Sequence, residues 1–168
     1  MKRVILLLCA VICAVQLKAQ EEWKVAVGEK VPLFTVENKK NEPMPMGAMK
    51  GKVVLLNFFA TWCPPCRQEL PRLQKEVWEK WGERADFEVM VLAREEGWDK
   101  LDPFMANNKY TFPVYPDLRR EVFSLFAESL IPRNVLVNKE GKIIYQSIGY
   151  SAEEFDELIA LIEKSLEE

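Results

Sequence analysis

The chain has 168 residues, 49% of them hydrophobic and 29% charged, a length that suggests one domain and an apolar share too high for disorder. It contains no histidine, which excludes Cys–His and Ser–His catalysis and every His-ligated metal site. The net charge of −3 gives no electrostatic case for a nucleic-acid partner.

Met1-Lys2-Arg3 is a short basic start, residues 4–15 are almost wholly apolar, and Gln16-Leu17-Lys18-Ala19 turns polar and ends small. This is the pattern of a secretory signal, and the apolar run is shorter than the ~20 residues a bilayer span needs. We expect residues 1–19 to be a cleaved signal peptide and 20–168 to be the mature domain, exported to the periplasm or cell envelope. A retained N-terminal anchor and lipidation at Cys9 or Cys13 are the alternatives. Cleavage removes Lys2, Arg3 and Lys18, so the mature chain is more acidic, which argues against binding anionic lipid or inserting stably in a membrane. It also removes Cys9 and Cys13. Cys63 and Cys66 are then the cysteines that remain.

In the mature chain, 31–36 reads as an edge strand, where Pro32 is tolerated. Residues 37–52 are rich in turn formers, and 52–59 is a continuous apolar run suited to a strand buried on both faces. Pro64 and Pro65 can occupy the first turn of a helix, whose apolar positions continue as Leu70, Leu73, Val77, Trp78 and Trp81. Residues 87–93 form a second buried strand. Residues 97–108 are a predicted helix capped by Asp99 or Asp102, with Pro103 at its first position in the second case. Residues 110–116 read as loop plus short strand, and Asp117 can cap a short helix with Val122, Phe123 and Phe126 on its inner face. Residues 135–137 and 143–145 flank a Gly141 turn as a hairpin. Ser151 and Glu154 form a capping box before a final helix with the stripe Phe155, Leu158, Ile159, Ile162 and Leu166. The early alternation of strand and helix implies parallel strands with crossover helices, and the hairpin adds antiparallel ones. The expected fold class is α/β, a central mixed sheet with helices on both faces.

The chemistry lies at Trp62-Cys63-Pro64-Pro65-Cys66. Cys63 follows a buried strand and opens a helix, where unpaired amides and the helix dipole favour a thiolate. We expect Cys63 to be an exposed nucleophile and Cys66, one turn on, to close a ring with it after thiol–disulfide exchange. If Cys63 is the cap, Pro65 supplies no N–H, so Cys66 N–H, with Arg67 N–H beyond it, is what remains for the sulfur. Two cysteines without histidine cannot complete a structural zinc site, and a disulfide across two residues restrains little chain. Redox activity is the expectation, with no metal and no cofactor.

The stretch Asn57-Phe-Phe-Ala-Thr-Trp-Cys-Pro-Pro-Cys-Arg-Gln-Glu-Leu-Pro71 resembles the thioredoxin fold, and more closely its exported TlpA/ResA-type thiol–disulfide oxidoreductases. Pro71 matches the proline that kinks that family's active-site helix, and Ile131-Pro132 matches its cis-proline segment. The resemblance implies catalytic Cys63 and Cys66, a substrate groove at Trp62, Ile131 and Pro132, and partners that are protein thiols or disulfides. It also implies a reductive role recharged by a membrane electron donor, with an oxidase or isomerase as the alternative, and a monomer. A non-catalytic binding module is the alternative of another class, and the cysteine pair argues against it. Thioredoxin carries an Asp where this chain has Asn57. ResA-type proteins carry Asn there and a Glu three residues after the second cysteine, where this chain has Glu69. Glu69 is therefore a candidate proton acceptor for Cys66; the alternative is a solvated partner of Arg72. Arg133 stands where many relatives have Thr, and we expect it to add a charge to the groove.

Overall fold

The computed structural model describes residues 23–168, so the signal peptide expected over 1–19 lies outside the described residues. Two strands, β1 (Thr35–Glu37) and β2 (Pro43–Pro45), form a small antiparallel ribbon. The expected edge strand over 31–36 is thus shifted toward β1. Val31 N–H instead donates to the Gly141 carbonyl in the late hairpin.

The central sheet is built from β3 (Val53–Phe59), β4 (Phe87–Arg94), β5 (Val114–Asp117), β6 (Arg133–Val137) and β7 (Ile143–Ile148) in the order β5-β4-β3-β6-β7. β3, β4 and β5 run parallel; β6 and β7 run antiparallel to their neighbours. Every residue of β3 is buried, as its unbroken apolar run requires of a strand covered on both faces.

The helices are α1 (Pro64–Arg72), α2 (Glu79–Trp81), α3 (Trp98–Asn108), α4 (Phe123–Phe126) and α5 (Ala152–Glu167). Alternation along β3 sorts the packing. Val53, Leu55 and Phe59 face a core containing Leu70, Leu73, Val77, Leu101, Phe155, Leu158 and Ile162. Val54, Leu56 and Phe58 face the other side, where Val36, Met46, Phe123 and Phe126 close the second core. Long helices cover one face; the short α4 and the N-terminal ribbon cover the other. This is the mixed α/β architecture of the thioredoxin-like fold.

Local chemistry accounts for most boundaries. Ser151 Oγ accepts from Glu154 N–H at 3.2 Å and starts α5. Asp117 accepts from the N–H groups of Val122 and Phe123 at 3.1 and 2.7 Å. Two expectations for α3 fail. Its cap is Gly97, whose carbonyl accepts from both Lys100 and Leu101 N–H, and Pro103 lies inside the helix. Asp99 and Asp102 sit within the helix, and one interior proline removes a single i→i−4 bond.

Between α1 and α2 the chain passes through a π-helical stretch, Leu73–Trp78, directly after Pro71. Its wider turn carries the helix to Gly82, whose N–H donates to the Trp78 carbonyl at 2.8 Å. A Cβ on Gly82 would lie 2.5 Å from Trp78 Cε3 and 2.6 Å from Trp78 O. Gly82→Ala should therefore cost about 1–3 kcal/mol by overpacking. Urea denaturation checks this, and an unchanged midpoint would show that the indole and the Trp78 carbonyl both give way freely.

Candidate active site

β3 delivers the chain to Ala60, and the turn that follows is held from across the molecule. The buried Glu96 carboxylate, in the loop after β4, accepts from Thr61 N–H and from Thr61 Oγ, each at 2.6 Å. Both oxygens are thereby occupied, and the backbone entering Cys63 is fixed. Nothing in the local sequence marks Glu96, because the partners are 35 residues apart.

Cys63 is the N-cap of α1, with Pro64 and Pro65 in the first turn. Its sulfur is joined to Cys66 in a disulfide, Cα–Cα 5.3 Å. Cys63 Sγ accepts from Cys66 N–H at 3.3 Å. Arg67 N–H, the second donor considered from sequence, goes instead to the Cys63 carbonyl at 3.1 Å, as a regular first turn demands. The exposure expected of Cys63 is not found either. Cys63 is only 2% exposed and Cys66 0%, since the 131–132 loop packs over the sulfur. The Ile131 carbonyl oxygen lies 3.6 Å from Cys63 Sγ, and the Ile131–Pro132 bond is cis. Trp62, the residue before Cys63, is 60% exposed.

On the inner side of α1, Glu69 is 1% exposed. It does not pair with Arg72, which binds Glu76 at 2.7 Å and Asp156 at 2.6 Å. Sheet register explains its partners instead. Asn57 on β3 is opposite Asn134 on β6, which is opposite Ser147 on β7. This polar row crosses the buried face directly below α1. Asn57 Nδ2 donates to Glu69 Oε2 at 2.8 Å and to Asn134 Oδ1 at 2.8 Å. Asn134 Nδ2 donates to Glu69 Oε1 at 2.6 Å and to Ser147 Oγ at 3.3 Å. Burial pushes the Glu69 carboxyl up to about 7, and the two amide donors only partly oppose this. Asn134 and Ser147 were not singled out from the sequence. The signal for Asn134 is a polar residue leading the apolar run 135–137, but its meaning needs the register.

Arg133 also departs from expectation. It is 0% exposed and adds no surface charge to the groove. Alternation along β6 sends it away from Asn134, to the far side of the sheet, where its guanidinium lies 4.4 Å from the Trp23 ring centroid.

Among the described residues no helix is long and apolar enough to cross a membrane. The chain is similar to known proteins along most of its length. The Redoxin family profile matches residues 26–162. Thiol-disulfide oxidoreductase ResA of Bacillus thuringiensis (strain Al Hakam) is 30% identical over 131 residues, 78% of this chain and 75% of that protein. The solution structure of a candidate protein disulfide isomerase from Bacteroides thetaiotaomicron matches with a TM-score of 0.83 at 34% identity, covering 87% of this chain and 93% of the other. StoA from Bacillus subtilis matches with a TM-score of 0.62 at 27% identity, covering 77% and 98%. With the Cys63–Cys66 pair at the start of α1 and the sheet order described above, the chain belongs to the Redoxin family and, within it, to the ResA-type thiol–disulfide oxidoreductases.

Proposed function

We propose that this protein is an exported protein-disulfide reductase. The Cys63 thiolate attacks one sulfur of a partner disulfide, forming a mixed disulfide, and the partner's other sulfur leaves as a thiolate that takes up a proton. Cys66 gives its proton to Glu69, and the Cys66 thiolate attacks Cys63 Sγ. The second partner sulfur leaves and is protonated. Two electrons pass to the partner, which ends as a dithiol, and the enzyme ends with the Cys63–Cys66 bond. A membrane electron donor returns the pair to the dithiol, since an exported compartment is oxidising. Trp62, Ile131 and Pro132 form the docking surface beside Cys63.

The observation that carries the reductive direction is the donor set of Cys63. One backbone N–H faces its sulfur, because Pro64 and Pro65 have none and Arg67 N–H is spent on a carbonyl. The Ile131 carbonyl faces the sulfur as well, and a carbonyl oxygen can accept from a thiol but repels a thiolate. A poorly stabilised thiolate makes the dithiol form less favourable and the disulfide more so, the reverse of a strong oxidant. Glu69 supports the resolving step, since a carboxyl titrating at about 7 can both take and release a proton near neutrality. The protonated form needs an acceptor. Asn57 Oδ1, buried and without a partner, offers one if the amide turns over.

Equilibration of the pair with glutathione or dithiothreitol tests the direction. A potential near about −270 mV, that of a thioredoxin-like reductant, is the expected result; one near about −120 mV would make the protein an oxidant.

A further inference from the structure

The loop 129–132 that presents the Ile131 carbonyl to Cys63 is held from behind by a buried cation. Arg133 Nε donates to the carbonyls of Ser129 at 3.0 Å and Leu130 at 3.1 Å, and Nη2 donates to the Ser129 carbonyl at 2.9 Å. Leu130 between them sits at φ 63°, a left-handed conformation that a residue with a Cβ enters at a cost. The far end of the loop is fixed as well, since Gly149 N–H donates to the Pro132 carbonyl at 2.8 Å. Trp23 covers the guanidinium by ring stacking at 4.4 Å. Trp23 is itself bridged to Ala127, and the next residue, Lys24, donates its N–H to the Phe126 carbonyl.

We propose that Arg133 is a positioning residue for the redox site. Its planar fork gathers the Ser129 and Leu130 carbonyls and so sets the place of the Ile131 carbonyl opposite Cys63 Sγ, while Trp23 clamps the fork in place. Through this chain of contacts the N-terminal segment at Trp23 is mechanically coupled to Cys63, on the opposite side of the sheet from the Glu69 cluster. A lysine cannot substitute. Its ammonium is a point charge without the fork geometry and with weaker ring stacking.

The proposal rests on the reading of Cys63 as the attacking thiol, so the test uses a readout that does not depend on that reading. Cys63 is titrated through its Cβ chemical shift in the reduced Cys66→Ala protein, with and without Arg133→Lys or Trp23→Leu. The KM for insulin reduction is measured in the same substitutions with Cys66 present. Loosening the loop withdraws the carbonyl that accepts from the neutral thiol, so the Cys63 pKa should fall by about half a unit or more. The insulin KM should rise about fivefold or more, with kcat changed less, because the docking edge moves. Far-UV circular dichroism and cooperative unfolding establish that each variant folds. If Arg133→Lys does not fold, Trp23→Leu carries the same expectation, since it leaves the fork but removes its clamp. A folded variant with the wild-type Cys63 titration and the wild-type KM overturns the proposal. If wild-type Cys63 proves unreactive while its titration still shifts in Arg133→Lys, the reading of Cys63 as attacker falls and the positioning role stands.

Discussion

Cys63→Ser should lower the rate of disulfide exchange with a protein substrate by roughly a thousandfold or more, because a hydroxyl replaces the one sulfur that can meet a partner. Cys63 lies between exposed Trp62 and Pro64, beside the Ile131 carbonyl. Cys66 lies wholly buried one turn further along α1. Cys66→Ala should therefore keep the first attack and lose the second, so that a mixed disulfide accumulates in place of free product. Stopped-flow reduction of insulin, with non-reducing gels for the adduct, separates these outcomes. Loss of the first attack in Cys66→Ala, with retention in Cys63→Ser, would reverse the two roles.

Glu69→Gln should change the pH dependence of stability as well as the kinetics. The Glu69 carboxyl is raised from 4.5 to about 7 in the folded protein, chiefly by burial. Between those values the folded state holds a proton that the unfolded state has lost, so stability falls as pH rises. The favourable contribution is fully present below about pH 4.5 and gone above about pH 7. The shift corresponds to about 3 kcal/mol. Glutamine does not titrate, so the wild-type stability should fall relative to the variant's by about that amount between about pH 4.5 and 8. Glutamine also presents an N–H₂ to the amide donors of Asn57 or Asn134, which lowers the variant at every pH without adding a slope. Urea denaturation of the oxidised proteins across this range measures the difference. Parallel curves would mean that the Glu69 carboxyl is not raised in the folded protein and is too weak a base to take the Cys66 proton effectively. In the reduced proteins the same substitution should lower the thiol pKa values by removing a like charge, and should slow resolution more than attack.

Much of the frame is legible from residue pattern alone. The apolar runs at 52–59 and 87–93 mark the two buried strands, and Ser151 with Glu154 marks the start of α5. Cys63 and Cys66 announce themselves by spacing, and the two prolines by what they cannot donate. The environment of Glu69 is a different case. Its spacing from Cys66 is visible, but its burial follows from Asn57, Asn134 and Ser147 falling in one register row across three strands. A row of that kind exists only once the sheet is assembled. Arg133 shows the same limit: whether it faces the groove or the opposite core depends on the alternation of β6, which begins at Arg133, two residues before the apolar run 135–137 that marks the strand in the sequence. Glu96 acts on a turn 35 residues away, with no local pattern to betray it.

The attacking role of Cys63 is the claim on which the rest depends, and limited alkylation tests it most directly. The reduced wild-type protein is treated with substoichiometric iodoacetamide near neutral pH, and the labelled cysteine is identified by peptide mass spectrometry. The account predicts label on Cys63 well before Cys66, because Cys63 caps α1 between the exposed Trp62 and Pro64 while Cys66 lies wholly buried one turn further along the helix. Equal labelling, or label first on Cys66, would contradict it.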